Sequence, residues 1–229
     1  MKKTLTALLV MACCTAGAET LTLLPALDSA TRINSQPTSW NEAIGNSGIS
    51  ADAVAACLTT STSPLLESGW HWGLSNAQGG FAEDLTMSAT GFSFYGRRNY
   101  GGEYVAATVK VEDLLGGEEG VVSSITISFD ATVQNSMTFS AWVWDGTTAT
   151  ALIEAGNPGT SFAETVTGLS LEAGNTLLFV YGDNSGGGAN TISNLQSSYT
   201  LATVTVPEPA TATLSLLALA GLAARRRRK

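Results

Sequence analysis

From about Thr86 onward, apolar and polar side chains alternate along the chain. Period-two alternation marks strands with one buried face. Ile125, Ile127 and Phe129 alternate with Thr126, Ser128 and Asp130. Met137, Phe139, Ala141 and Val143 repeat the pattern one strand later, which puts Trp142 and Trp144 on the side shared with Thr138 and Ser140. Segments 162–169, 176–181 and 197–206 predict three more strands, and Gly174-Asn175 and residues 182–188 predict turns. Segments 91–95 and 103–111 flank a turn over 96–102, which predicts a hairpin. Strands spaced by about 8–12 residues, without helices between them, predict a mainly β fold: an antiparallel β-sandwich of jelly-roll type.

The earlier part of the chain is less regular. An opening strand is expected near 21–24, followed by a polar loop rich in Ser, Asn and Thr. Residues 51–58 predict the one short helix, because Ser50 can cap it and the Ala run favours it. Segment 59–85, with Pro64 and Gly79-Gly80, reads mainly as loop.

Both ends carry targeting patterns. Lys2-Lys3, an apolar stretch over 5–12 and the small residues Ala16-Gly17-Ala18 predict a signal peptide over 1–18, cut by signal peptidase between Ala18 and Glu19. A lipoprotein signal ending at Cys13 is the competing reading. At the other end, Pro207-Glu208-Pro209 precede 15 uncharged residues, 210–224, and then Arg225, Arg226, Arg227, Arg228 and Lys229. The two prolines end any strand entering them. An apolar segment followed by a basic cluster fits a transmembrane helix whose basic end stays in the cytoplasm. The three ordered elements resemble the PEP-CTERM sorting signal. The resemblance covers about a tenth of the chain. It implies recognition at the membrane by an exosortase-type protease and delivery to the cell envelope, surface or extracellular matrix. An uncleaved anchor is the alternative. At ~1.5 Å per residue the apolar segment reaches only about 22 Å, against ~30 Å of hydrocarbon, which favours a transient, processed signal.

Charge changes meaning once these ends are set aside. The whole chain is −8, but residues 19–206 hold four basic side chains (Arg32, Arg97, Arg98, Lys110) against 18 acidic ones, a net of −14. Such a domain repels phosphate backbones, so nucleic acid is not an expected partner. Its 188 residues suffice for one domain with a sizeable core. Cys57 is the one cysteine of the mature span, so no internal disulfide forms, and a buried small hydrophobe is the expected role.

Candidate chemistry is sparse. There is no nucleophile elbow, zinc-binding helix or phosphate-cradling loop, and neither catalytic nor cofactor-binding residues are expected. His71, between Trp70 and Trp72, is expected to be packed, and the pairs Glu83-Asp84 and Glu118-Glu119 to be solvated surface. A weak glycan hydrolase using such carboxylates is the most distant reading. Segment 183–188 offers oxygen ligands for calcium but lacks the spacing of a calcium loop, so a turn explains it more simply, and no metal site is assigned. Trp142 and Trp144, about 7 Å apart on one strand face, make a sugar platform if that face is open, and a core layer if it is covered. The leading expectation is a non-enzymatic exported surface or matrix protein. The alternative is a carbohydrate-binding module for exopolysaccharide or another glycan.

Overall fold

The computed structural model describes residues 20–33, 49–59, 63–74, 85–96, 103–134, 137–183 and 188–202. The signal peptide, the sorting segment with its transmembrane helix, the linker over 204–209, Glu83-Asp84 and residues 184–187 lie outside the described residues. No helix among the described residues is long and apolar enough to cross a membrane.

Alternating segments form two sheets. The first holds β1 (Thr20–Leu21), β4 (Leu85–Ser88), β5 (Gly91–Gly96), β7 (Val121–Thr132), β10 (Ser161–Leu171) and β12 (Gly188–Ala202). Its order is β10-β7-β12-β5-β4, with β1 also paired to β12. The second holds β2 (Thr31–Arg32), β3 (Gly69–Leu74), β6 (Glu103–Lys110), β8 (Thr138–Trp144), β9 (Ala149–Gly156) and β11 (Thr176–Asp183), in the order β2-β3-β6-β11-β8-β9. All pairs are antiparallel except β2 with β3. The eight strands β5 to β12 divide as β5-β12-β7-β10 against β6-β11-β8-β9, which is the wiring of a jelly roll.

The expected hairpin of 91–95 with 103–111 does not form. β5 pairs with β4, Met87 opposite Phe92, while β6 lies in the other sheet between β3 and β11. Phe92 and Phe94 face Val105, Ala107 and Val109 across one core, so alternation located the buried face correctly but carried no information about the partner strand. The last strand also begins nine residues earlier than expected, at Gly188, and β9 was not signalled by any expectation.

The interior has two layers. Between the sheets, Phe92, Phe129, Phe139 and Tyr181 form a tight ring cluster with centroids 4.9–5.5 Å apart. The Tyr181 hydroxyl is sealed inside it without a hydrogen-bond partner, and burial pushes its pKa upward. Tyr181→Phe should therefore stabilise the protein by about 1 kcal/mol, because the unpaired group carries an uncompensated desolvation cost. Scanning calorimetry should show a rise of about 2–4 °C; a fall would mean the hydroxyl is satisfied in solution.

The second layer lies on the outer face of the second sheet. Helix α1 (Ala51–Leu58) is capped by Ser50, whose Oγ accepts from the Ala53 N–H at 3.2 Å. It buries Ala53, Val54, Cys57 and Leu58 on one side, and with Leu65 of the 3-10 turn Pro64–Leu66 it covers Ala106, Leu178 and Val180. A second short helix, α2 (Val111–Leu115), follows β6 directly and ends at Gly116, whose φ of 59° is the left-handed cap that glycine adopts without strain.

Candidate functional site

Trp142 and Trp144 do share one face of β8, opposite Phe139 and Ala141. That face is covered. The two residues are 3 % and 4 % exposed beneath α1 and the 3-10 turn, so neither indole presents a flat open ring. The exposed platform is corrected to a core layer. Its cover comes from residues 49–66, too far away in sequence for strand alternation to report. Trp70 and Trp72, expected in a loop, lie on β3 and pack into the core between the sheets. The Trp70 indole donates to the Pro25 carbonyl at 3.1 Å, and the Arg32 guanidinium lies 5.0 Å from the Trp72 ring centroid.

The remaining candidates separate by burial. His71 is 4 % exposed, with Nε2 3.1 Å from the Glu67 carbonyl oxygen. A carbonyl only accepts, so Nε2 carries the proton and the buried Nδ1 is left without a partner. Desolvation lowers the His71 pKa, and the bond to Glu67 only partly opposes this. Cys57 is fully buried on the inner face of α1, and burial pushes its thiol pKa far up, away from thiolate chemistry. Glu118 and Glu119 are exposed in the loop after α2. Among the described residues, no group of three or more His, Cys, Asp or Glu is placed to hold a metal.

Among the described residues, two of the surface clefts concern the candidate side chains. One, of about 460 Å³, occupies a break along β12, which pairs with β5 through Ile192 and with β1 only from Tyr199. Trp70, Leu24, Leu27 and Leu195 give it mostly aliphatic and aromatic walls, with Gln196 at its margin. The other, of about 340 Å³, gathers Glu67, Lys110, Glu112, Asn175 and Thr176 around Trp144.

Local structure fixes the second cleft. Lys110 ends β6 and precedes α2, and its backbone N–H donates to Ser68 Oγ at 2.9 Å. Glu67 closes the 3-10 turn through an N–H bond to the Pro64 carbonyl. Asn175 holds the β10–β11 turn: its N–H donates to the Glu172 carbonyl at 3.0 Å, and its Oδ1 accepts from the Glu172 N–H at 3.1 Å. The Lys110 ammonium lies 3.1 Å from Glu67 and 3.9 Å from Glu112. Hydrogen bonding to Glu67 is the main cause that raises its pKa. Of these residues only Trp144 was expected at a binding site. The polar ones come from three separate stretches of chain, at Glu67, at Lys110 and Glu112, and at Asn175-Thr176, and no local motif links them.

A family model for the PEP-CTERM protein-sorting motif matches residues 205–229. No curated protein matches the chain. Among solved structures, the enzymatically active domain of bacteriophage CBA120 tailspike protein 4 is 12% identical with a TM-score of 0.34, covering 58% of this chain. The chain spans only 18% of that protein. TmCBM61, solved with β-1,4-galactotriose, is 10% identical over 57% of this chain and 88% of its own, with a TM-score of 0.34. The CBM22-1 xylan-binding domain of Paenibacillus barcinonensis Xyn10C is 13% identical over 62% of this chain and 92% of its own, with a TM-score of 0.33. The C-terminal segment is thus a PEP-CTERM sorting motif, the mark of an exported protein processed at the membrane.

Proposed function

We propose that this PEP-CTERM protein is a non-enzymatic component of the cell envelope, surface or extracellular matrix, whose cargo is the jelly-roll domain. The sorting motif carries the reading: it begins at residue 205, three residues after β12 ends at Ala202. In this reading the signal peptide over 1–18 directs export, the apolar segment over 210–224 holds the chain in the membrane, and an exosortase-type protease acts at Pro207-Glu208-Pro209. The absence of catalysis is supported by the burial of His71 and Cys57 and by the exposure of Glu118 and Glu119. Glu67 and Glu112 both lie beside the Lys110 ammonium, at 3.1 and 3.9 Å, an arrangement of ion pairs rather than of a free acid and base.

Replacing Pro207-Glu208-Pro209 with three alanines should leave export intact and stop processing. The variant should accumulate in the cytoplasmic membrane fraction at a mass that still includes Arg225–Lys229, as read by fractionation and intact-mass spectrometry. Identical partitioning and mass for variant and parent would reduce the segment to a plain anchor. Carbohydrate binding is the second reading. The polar cleft beside Trp144 favours it, in place of an open indole pair.

A further inference from the structure

We propose that His71 is an acid-sensitive latch: proton uptake by its buried ring releases α1 and the 3-10 turn from the outer face of the second sheet. His71 is the one histidine of the chain. It stands on β3 opposite Ala106 of β6, on the face away from Trp70 and Trp72. Cys57, Leu58 and Leu65 of the cover pack in the same layer as Ala106. Outside β3 the sheet holds only the two-residue β2, so the cover can lift without breaking the central strands.

The two ring nitrogens define the latch. Nε2–H donates to the carbonyl of Glu67, the residue that closes the 3-10 turn, so the ring ties β3 to the end of the cover. Nδ1 is buried without a hydrogen-bond partner. In the neutral ring that atom carries only a lone pair. Protonation turns it into a charged donor with no acceptor, and a buried, unpaired charge is far costlier than a buried neutral ring. Ser63 Oγ, at the head of the 3-10 turn, and Thr108 Oγ1 on β6 are themselves buried and unpartnered, so neither bonds to the ring.

No neighbouring charge stabilises an imidazolium in place. On β2, Thr31 lies opposite His71, and Arg32 beside it packs its guanidinium over Trp72. β6 offers Ala106 and Thr108, which are uncharged. α1 turns Ala53, Val54, Cys57 and Leu58 inward, and burial keeps the Cys57 thiol neutral. The Glu67 carboxylate is exposed and engaged by Lys110 at 3.1 Å. Among the described residues no ion pair reaches His71. The way to hydrate the charge is to expose the ring, which means parting Glu67 and the cover from β3. Because the closed form holds its proton poorly, the cover is at full stability above the ordinary histidine value of 6.5 and weakens as the pH falls below it.

The test is amide hydrogen exchange of the full chain in detergent, from about pH 7.5 to about pH 5.5, a window above the ordinary carboxylate values. After correction for the intrinsic pH dependence of exchange, amides of α1 and the 3-10 turn should open up to about tenfold more often per pH unit below the histidine value. Those of β7 and β12 should hold. Tryptophan emission should shift to the red over the same range, as Trp142 and Trp144 lose their cover. His71→Gln can still donate to the Glu67 carbonyl but takes up no proton, and should abolish both responses. If that variant does not fold, an NMR titration of the His71 ring in the parent decides: a pKa below 6.5 supports the latch, and one at or above 6.5 overturns it. The latch is equally overturned by cover exchange that ignores pH, by acceleration spread evenly over both sheets, or by a variant that keeps the parent's pH response.

Discussion

Changing Trp142 and Trp144 together to alanine is expected to cost more than any other pair of substitutions in the outer layer. Each indole is almost fully buried between the second sheet and the cover formed by α1 and the 3-10 turn. Trp→Ala in a core typically costs 3–5 kcal/mol, through lost transfer energy and the cavity left behind. The two side chains share neighbours, so their effects will not simply add. Even the lower figure is a large share of the ~5–15 kcal/mol that holds a domain folded. Urea denaturation followed by circular dichroism should show a midpoint far below the parent, or no folded baseline. A midpoint within about 0.5 kcal/mol of the parent would return the indoles to an exposed face.

Gly91→Ala should be almost as damaging, for a different reason. A Cβ at Gly91 would lie 1.9 Å from the Ile192 carbonyl oxygen and 2.7 Å from its carbon. Both are backbone atoms, so no rotamer change relieves the clash. β5 and β12 would have to separate where β12 already bulges, between Ser193 and Gln196. Overpacking of this kind costs about 1–3 kcal/mol or more, and here a strand pairing is lost with it. Gly156→Ala is the control, because its added Cβ meets nothing nearer than 3.9 Å. Thermal unfolding should separate the two variants by several degrees; equal melting temperatures would show that the strands yield freely.

The faces of the strands were legible in the sequence, and their partners were not. Ile125, Ile127 and Phe129 alternate cleanly because one side of β7 meets the core and the other meets water. β3 hid itself because it is covered on both sides: Trp70 and Trp72 pack inward, while His71 is buried on the opposite face. A fully covered strand shows no alternation, and its Pro and Ser neighbours suggested a loop. α1 was legible from Ser50 and the Ala run, whereas α2 shares only Val111 with the strand expected over 103–111 and was not signalled by the sequence. The candidate cleft stayed invisible for a topological reason. Glu67, Lys110, Trp144 and Asn175 come from four separate elements, and only the folded sheet order brings them together.

The pairing of β1 with β12 bears on how the protein can be handled during export. Thr20 lies opposite Thr200 on antiparallel neighbours, so the chain leading into β1 and the chain leaving β12 depart in the same direction, about 5 Å apart. A domain tethered before Thr20 and after Ala202 therefore hangs from a single point, like a loop closed at its neck. Under the proposed reading, with an export signal before Thr20 and a sorting segment after Ala202, both tethers would meet the fold at one place, so neither would have to be cut before the strands could pair.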